Sequence, residues 1–128
     1  IALNRTIEKM QPDDEAFVRN LVYGVLENLI YIDYKLSKLV STKLRKLRPQ
    51  VLVLLRMGAY QIEFMESVPS YAAINESVTI AKKVCRGLDG FVNGVLRNFD
   101  RKYQEIQLPD MHKEPARYLS VKYSYQRS

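Results

Sequence analysis

The side chains in this 128-residue chain with the most capacity for chemistry are its cations and its tyrosines. Lys43, Arg45, Lys46 and Arg48 fall close together, followed by Lys82, Lys83 and Arg86 and then by Arg101 and Lys102. Such groups neutralise phosphates and displace their counterions, so the binding they support falls steeply with salt. Nine tyrosines and no tryptophan supply the aromatic surface. A tyrosine beside a cation can stack on an unpaired base. Tyr34 and Tyr103, each next to a lysine, are the better placed for it, whereas Tyr23 and Tyr60 read as packing at the edge of a core.

Covalent chemistry finds little here. One Cys and one His exclude a disulfide framework and a zinc site built from those residue types alone. Cys85 closes an apolar helical stripe and reads as a small buried hydrophobe. As a thiolate beside Arg86 it would lack a partner base. His112 falls in a loop after Pro109, and Glu63, Glu66 and Glu76 form no pair. There is no glycine-rich phosphate loop and no metal-ligand spacing. The chain alone therefore reads as a binding module, with no catalytic, metal or cofactor residue of its own.

The elements that position the cations are helical. Apolar residues recur at spacings of three and four, and glycine and proline number five each. The pattern predicts an all-α bundle of five to seven helices. A first helix starts near Pro12 and the acids that follow it and runs to about Ile30. Asp33 caps a second, with Leu36, Leu39 and Val40 inward. Pro49 opens a third, apolar nearly all round from Val51 to Met65, which must be central. Gly58 marks a close crossing by another helix. Ser70 caps a fourth, Arg86-Gly87 makes a turn, and a fifth runs from Leu88 or Asp89 to about Tyr103. Residues 113–125 allow one more short helix.

Two polar residues interrupt apolar helices. Asn75 and Asn93 read as hydrogen-bonding across a helix crossing, the latter eased by Gly94, or else as a surface pair that contacts a ligand. Glu76 is a candidate partner for Arg56 or Arg97 in a partly buried ion pair.

The net charge of +6 is unevenly placed. Residues 34–62 carry seven bases and no acid, between two acidic stretches. That is the footprint of an anionic partner, or a solvated face that keeps the protein soluble. No apolar run approaches a membrane span. The lone Cys85 fits a reducing, cytoplasmic setting. The chain begins at Ile1 without Met, which reads as a piece of something longer.

Three segments then resemble a known family. They are Leu54-Leu55-Arg56-Met57-Gly58-Ala59-Tyr60-Gln61, then Val68-Pro69-Ser70-Tyr71-Ala72-Ala73-Ile74-Asn75-Glu76-Ser77-Val78, and Gly90-Phe91-Val92-Asn93-Gly94-Val95-Leu96-Arg97. With Leu21 to Leu26 upstream, their order resembles the NusB-like all-helical RNA-binding fold, over about residues 1–103. Gln61, Arg97 and the run Ala116 to Ser124 look more like the branch that forms the N-terminal domain of ribosomal RNA cytosine-C5 methyltransferases than the free antitermination factor. Tyr125 to Ser128 depart from the run that usually follows in that branch.

The resemblance implies a domain over residues 1–105 and a linker with a short helix over 106–128. It implies that the family's first helix would precede Ile1. A catalytic domain holding S-adenosylmethionine would follow Ser128. The partners implied are ribosomal RNA, held by its phosphates on Lys43, Arg45, Lys46, Arg48, Lys82, Lys83, Arg86, Arg101 and Lys102, and the chain's own methyltransferase domain. A ribosomal protein or a second copy is the rival partner, on an apolar face left uncovered.

Overall fold

The computed structural model describes residues 12–126. Six α-helices, and no strand among the described residues, build the fold: α1 (Pro12–Glu27), α2 (Leu29–Ser37), α3 (Pro49–Phe64), α4 (Ser70–Val84), α5 (Asp89–Lys102) and α6 (Pro115–Gln126). A single 3-10 turn, Leu44–Lys46, sits between α2 and α3. The expectation of an all-α bundle holds. The expectation about a helix before Ile1 lies outside the described residues. No helix among them is long and apolar enough to cross a membrane.

The centre is a layer of three helices folded back on one another by short connections. Pro49 opens α3 at a position where its missing N–H is harmless. Val51, Leu54, Leu55, Ala59 and Ile62 are buried against α4 and α5. The helix is not apolar-facing on every side, because Val53 stands about half exposed. Gly87 turns the chain from α4 into α5 with φ of 87°, a conformation that costs glycine little. Ser70 is not the cap of α4. Pro69 holds the extended cap position, and Ser70 is already helical with no capping hydrogen bond.

Gly58 marks a close crossing, as its type suggests. A Cβ there would lie 2.6 Å from Leu96 Cδ1 and 3.3 Å from Ser77 Oγ. Leu96 is fully buried, so it has nowhere to retreat. Gly58→Val should lower stability by about 2–3 kcal/mol, the upper part of the range for overpacking. A urea midpoint unchanged from the native chain would contradict this crossing.

The first half of the chain departs from its pattern. The first helix ends at Glu27, not near Ile30. Asn28 is fully buried, and both its backbone N–H and its Nδ2 donate to the Gly24 carbonyl, at 3.1 and 2.8 Å. A side chain that competes for a backbone carbonyl in this way favours a helix boundary. Asp33 is then inside α2, not its cap.

The break between α1 and α2 is closed from far along the sequence. The Tyr31 N–H donates to Ser124 Oγ, and the Ser124 hydroxyl donates to the Glu27 carbonyl, both at 3.3 Å. One hydroxyl thus satisfies a free donor of one helix start and a free acceptor of the other helix end. Val121 is buried beside it. Helix α6, at the place where the sequence allowed one more short helix, lies packed on α2.

Candidate nucleic-acid interface

The run of seven bases between residues 34 and 62 does not form one surface. Lys35 is only 5% exposed. Its Nζ donates to both oxygens of Glu63 at 3.3 Å and to the Tyr103 carbonyl at 2.8 Å. The rings of Tyr31 and Tyr103 lie 4.6 and 5.5 Å from the ammonium. Tyr31 also donates its hydroxyl to Glu63. This cluster ties α2 to the C-terminal ends of α3 and α5. Arg56 is likewise committed. Its Nε and Nη2 donate to the two Asp33 oxygens at 2.8 and 2.7 Å, a two-pronged pair that fixes α2 on α3.

Burial lowers the Lys35 pKa from its ordinary value, and the Glu63 carboxylate opposes part of that shift. The folded chain therefore releases this proton more readily than the unfolded chain. As pH rises from the folded value toward the ordinary one near 10.4, the unfolded state holds more protons and folding gains stability. The unfolding free energy of the native chain, taken relative to Lys35→Met, should thus grow between neutral pH and pH ~10. Denaturant unfolding across that range checks the sign, and a shrinking difference would contradict it.

What remains outside is Lys38, Lys43, Arg45, Lys46 and Arg48, all exposed and none in an ion pair among the described residues. The last four sit on the 3-10 turn and its extended flanks at Lys43 and Arg48. Because α4 folds back along α3, Lys82, Lys83 and Arg86 come to the same end of the layer as Arg48, and they too are exposed. Arg101 and Lys102 do not join them. They lie exposed at the end of α5, the end that carries Glu63. The chain thus has one extended basic end and a separate basic pair.

The tyrosines are rearranged relative to expectation. Tyr34 is buried, with Lys38 Nζ 5.0 Å and the Arg117 guanidinium 5.2 Å from its ring centre. Tyr103 stacks on Phe99 at 5.4 Å. Neither ring is laid open for a base. Tyr60 packs on Phe64 as expected, whereas Tyr23 is exposed and not core-edge.

The polar residues in α4 and α5 also differ. Asn75 and Glu76 are exposed, so Asn75 spans no crossing and Glu76 pairs with neither Arg56 nor Arg97. Asn93 accepts from Arg97 Nε within its own helix at 3.1 Å. A Cβ at Gly94 would meet no other helix within 4 Å among the described residues, so Gly94 eases no crossing. These two helices carry apolar faces against α3 and present Asn75, Glu76 and Arg97 to solvent, and the apolar neighbours in sequence are simply on the other side of the helix. Cys85 is buried, as a small hydrophobe would be.

Beside the basic turn lies a groove of about 780 Å³ between α2, the turn, α3 and α6. Ile30, Leu44, Leu52 and Val121 line its apolar side, and Lys43, Arg45, Arg56 and Arg117 its charged side. Arg117 was not among the cations singled out by spacing. Its only signal is its place in the first turn of a helix opened by Pro115, and nothing local shows that this helix returns to α2.

The described helices, with an exposed cationic end and a cation-rimmed groove, define a class, the all-α helical bundles. The chain belongs to the NusB family, whose pattern matches residues 1–101. Among curated proteins it is 37% identical over 118 residues to a probable ribosomal RNA small subunit methyltransferase B of Bacillus subtilis, covering 91% of this chain and 26% of that one. It is 32% identical over 108 residues to the probable methyltransferase B of Synechocystis, covering 82% and 24%. It is 34% identical over 113 residues to the ribosomal RNA small subunit methyltransferase B of Escherichia fergusonii, covering 88% and 26%. The chain thus spans about a quarter of the length of these relatives. No solved structure matches it.

Proposed function

We propose that this chain is the RNA-binding, non-catalytic portion of a small-subunit ribosomal RNA cytosine-C5 methyltransferase. It holds ribosomal RNA by phosphates while a separate domain transfers the methyl group. The S-adenosylmethionine of such an enzyme belongs to that separate domain, and no residue here is assigned to it. The observation that carries the reading is the basic end of the bundle: Lys43, Arg45, Lys46 and Arg48, exposed, in no ion pair among the described residues, and adjoined by Lys82, Lys83 and Arg86. Counterion release by such a surface favours any polyphosphate. The relatives, ribosomal RNA small subunit methyltransferases by name, point to the class, ribosomal RNA of the small subunit.

The test is affinity for a small-subunit rRNA fragment across a salt series. Log affinity should fall linearly with log salt, with a slope of about −0.7 to −0.9 per phosphate contacted. A flat response would overturn the proposal.

A further inference from the structure

We propose that the groove between α2 and α6 seats an unpaired nucleotide of the bound RNA, its base on the apolar floor and its flanking phosphates on the cationic rim. The inference rests on the RNA-binding reading above and adds a subsite to it, one that discriminates single strands from duplexes.

Four observations carry it. The recess joins two chemistries that a nucleotide also joins, an apolar floor at Ile30, Leu52 and Val121 and a rim of Lys43, Arg45 and Arg117. A duplex hides its base faces within its own stack and would leave such a floor unused. The volume, about 780 Å³, falls in the range of about 300–1,000 Å³ typical of ligand sites.

The charges also fit. The acids near the rim are engaged: Asp33 takes both prongs of Arg56, and Glu114 lies 3.6 Å from Arg117. Lys43 and Arg45 have no acid partner among the described residues. The groove is therefore complementary to an anion.

Arg117 supplies a stacking platform. The Arg117 guanidinium carbon lies 5.2 Å from the centre of the Tyr34 ring, and the side chain is 54% exposed. An exposed guanidinium kept beside an aromatic ring can present a face to a base. Tyr34 thus acts through Arg117 and not by touching RNA itself.

Finally, the wall formed by α6 lies beyond the part of the chain that matches the family pattern, which ends at residue 101. The groove is made by docking α6 on α2.

The experiment uses the full chain and two fluorescent probes, an unstructured ten-nucleotide oligouridine and a fully paired RNA duplex. Arg117→Ala removes the platform. Ser120→Trp, at an exposed position on the groove wall, fills the floor. Circular dichroism melting confirms that each variant folds. Each variant should weaken oligouridine binding at least ~5-fold, as expected for one lost stacked base, and leave duplex binding within ~2-fold. A 4-thiouridine strand should crosslink to a peptide from α6. If both variants bind oligouridine like the native chain while Arg45→Ala/Lys46→Ala/Arg48→Ala loses both probes, the groove proposal alone falls. The same outcome would point to a protein as the occupant. If the native chain binds neither probe, the RNA-binding reading falls with it.

Discussion

Glu63→Ala should lower the stability of the folded chain by about 3–5 kcal/mol, the cost of removing one partner from a buried ion pair. The Lys35 ammonium would keep the Tyr103 carbonyl at 2.8 Å and two aromatic rings, and lose both carboxylate oxygens. Tyr31 would lose the acceptor of its hydroxyl to Glu63. A charge at 5% exposure cannot recover that loss by turning to water. Urea unfolding followed by circular dichroism at neutral pH measures the effect. The double change Lys35→Met with Glu63→Leu should cost clearly less than Glu63→Ala alone, because no unpaired charge is left inside. A Glu63→Ala loss below about 1 kcal/mol, the value of an ordinary surface pair, would show that water reaches the cluster.

The second large effect concerns binding. Arg45→Ala/Lys46→Ala/Arg48→Ala should weaken affinity for an rRNA fragment by about 100-fold near 0.1 M salt and flatten the salt slope by about 2, the value of three lost single-strand phosphate contacts. The fold should survive, since all three side chains are exposed and none makes an ion pair among the described residues. Arg101→Ala/Lys102→Ala is the natural comparison. It removes charge at the far end of the layer and should cost less than the triple variant. Equal loss from both sets would mean that net charge alone governs binding. No loss from the triple variant would remove the turn from the interface.

Much of the bundle is legible in the chain itself. Pro49, Gly87 and the three-and-four spacing of Leu54, Leu55 and Ile62 act within one turn of their neighbours, and local rules suffice for them. The resemblance to NusB proteins rests on segments in α3, α4 and α5, the helices that make the central layer. The failures share a different physics. Lys35 counts as surface charge in any composition map, yet it shares a helix face with Tyr31, four residues earlier, and both meet Glu63. Only the crossing of α2 over α3 makes that face internal. Asn28 ends a helix by competing for one carbonyl, a choice that propensity leaves open. Arg117 acquires a place in the groove only because α6 returns to α2, a contact that sequence spacing does not encode.

The basic end was partly visible. Lys43, Arg45, Lys46 and Arg48 flank and form a 3-10 turn, and short connections between helices are surface by default. Their accessibility follows from that. Their separation from Arg101 and Lys102 does not, because it depends on the up-and-down order of α3, α4 and α5.

The Ser124 hydroxyl has a consequence during synthesis. It meets Tyr31 across 93 residues of chain. At about 5–20 residues per second, a ribosome finishes α2 roughly 5 to 20 s before it makes the helix that covers it. Throughout that interval the nascent chain carries an uncapped junction between α1 and α2 and a bare apolar strip awaiting Val121. The central layer is complete by Lys102, so it can form first and hold α2 in place. Helix α6 closes that junction once it is made, and a nascent chain stalled short of Ser124 keeps it open.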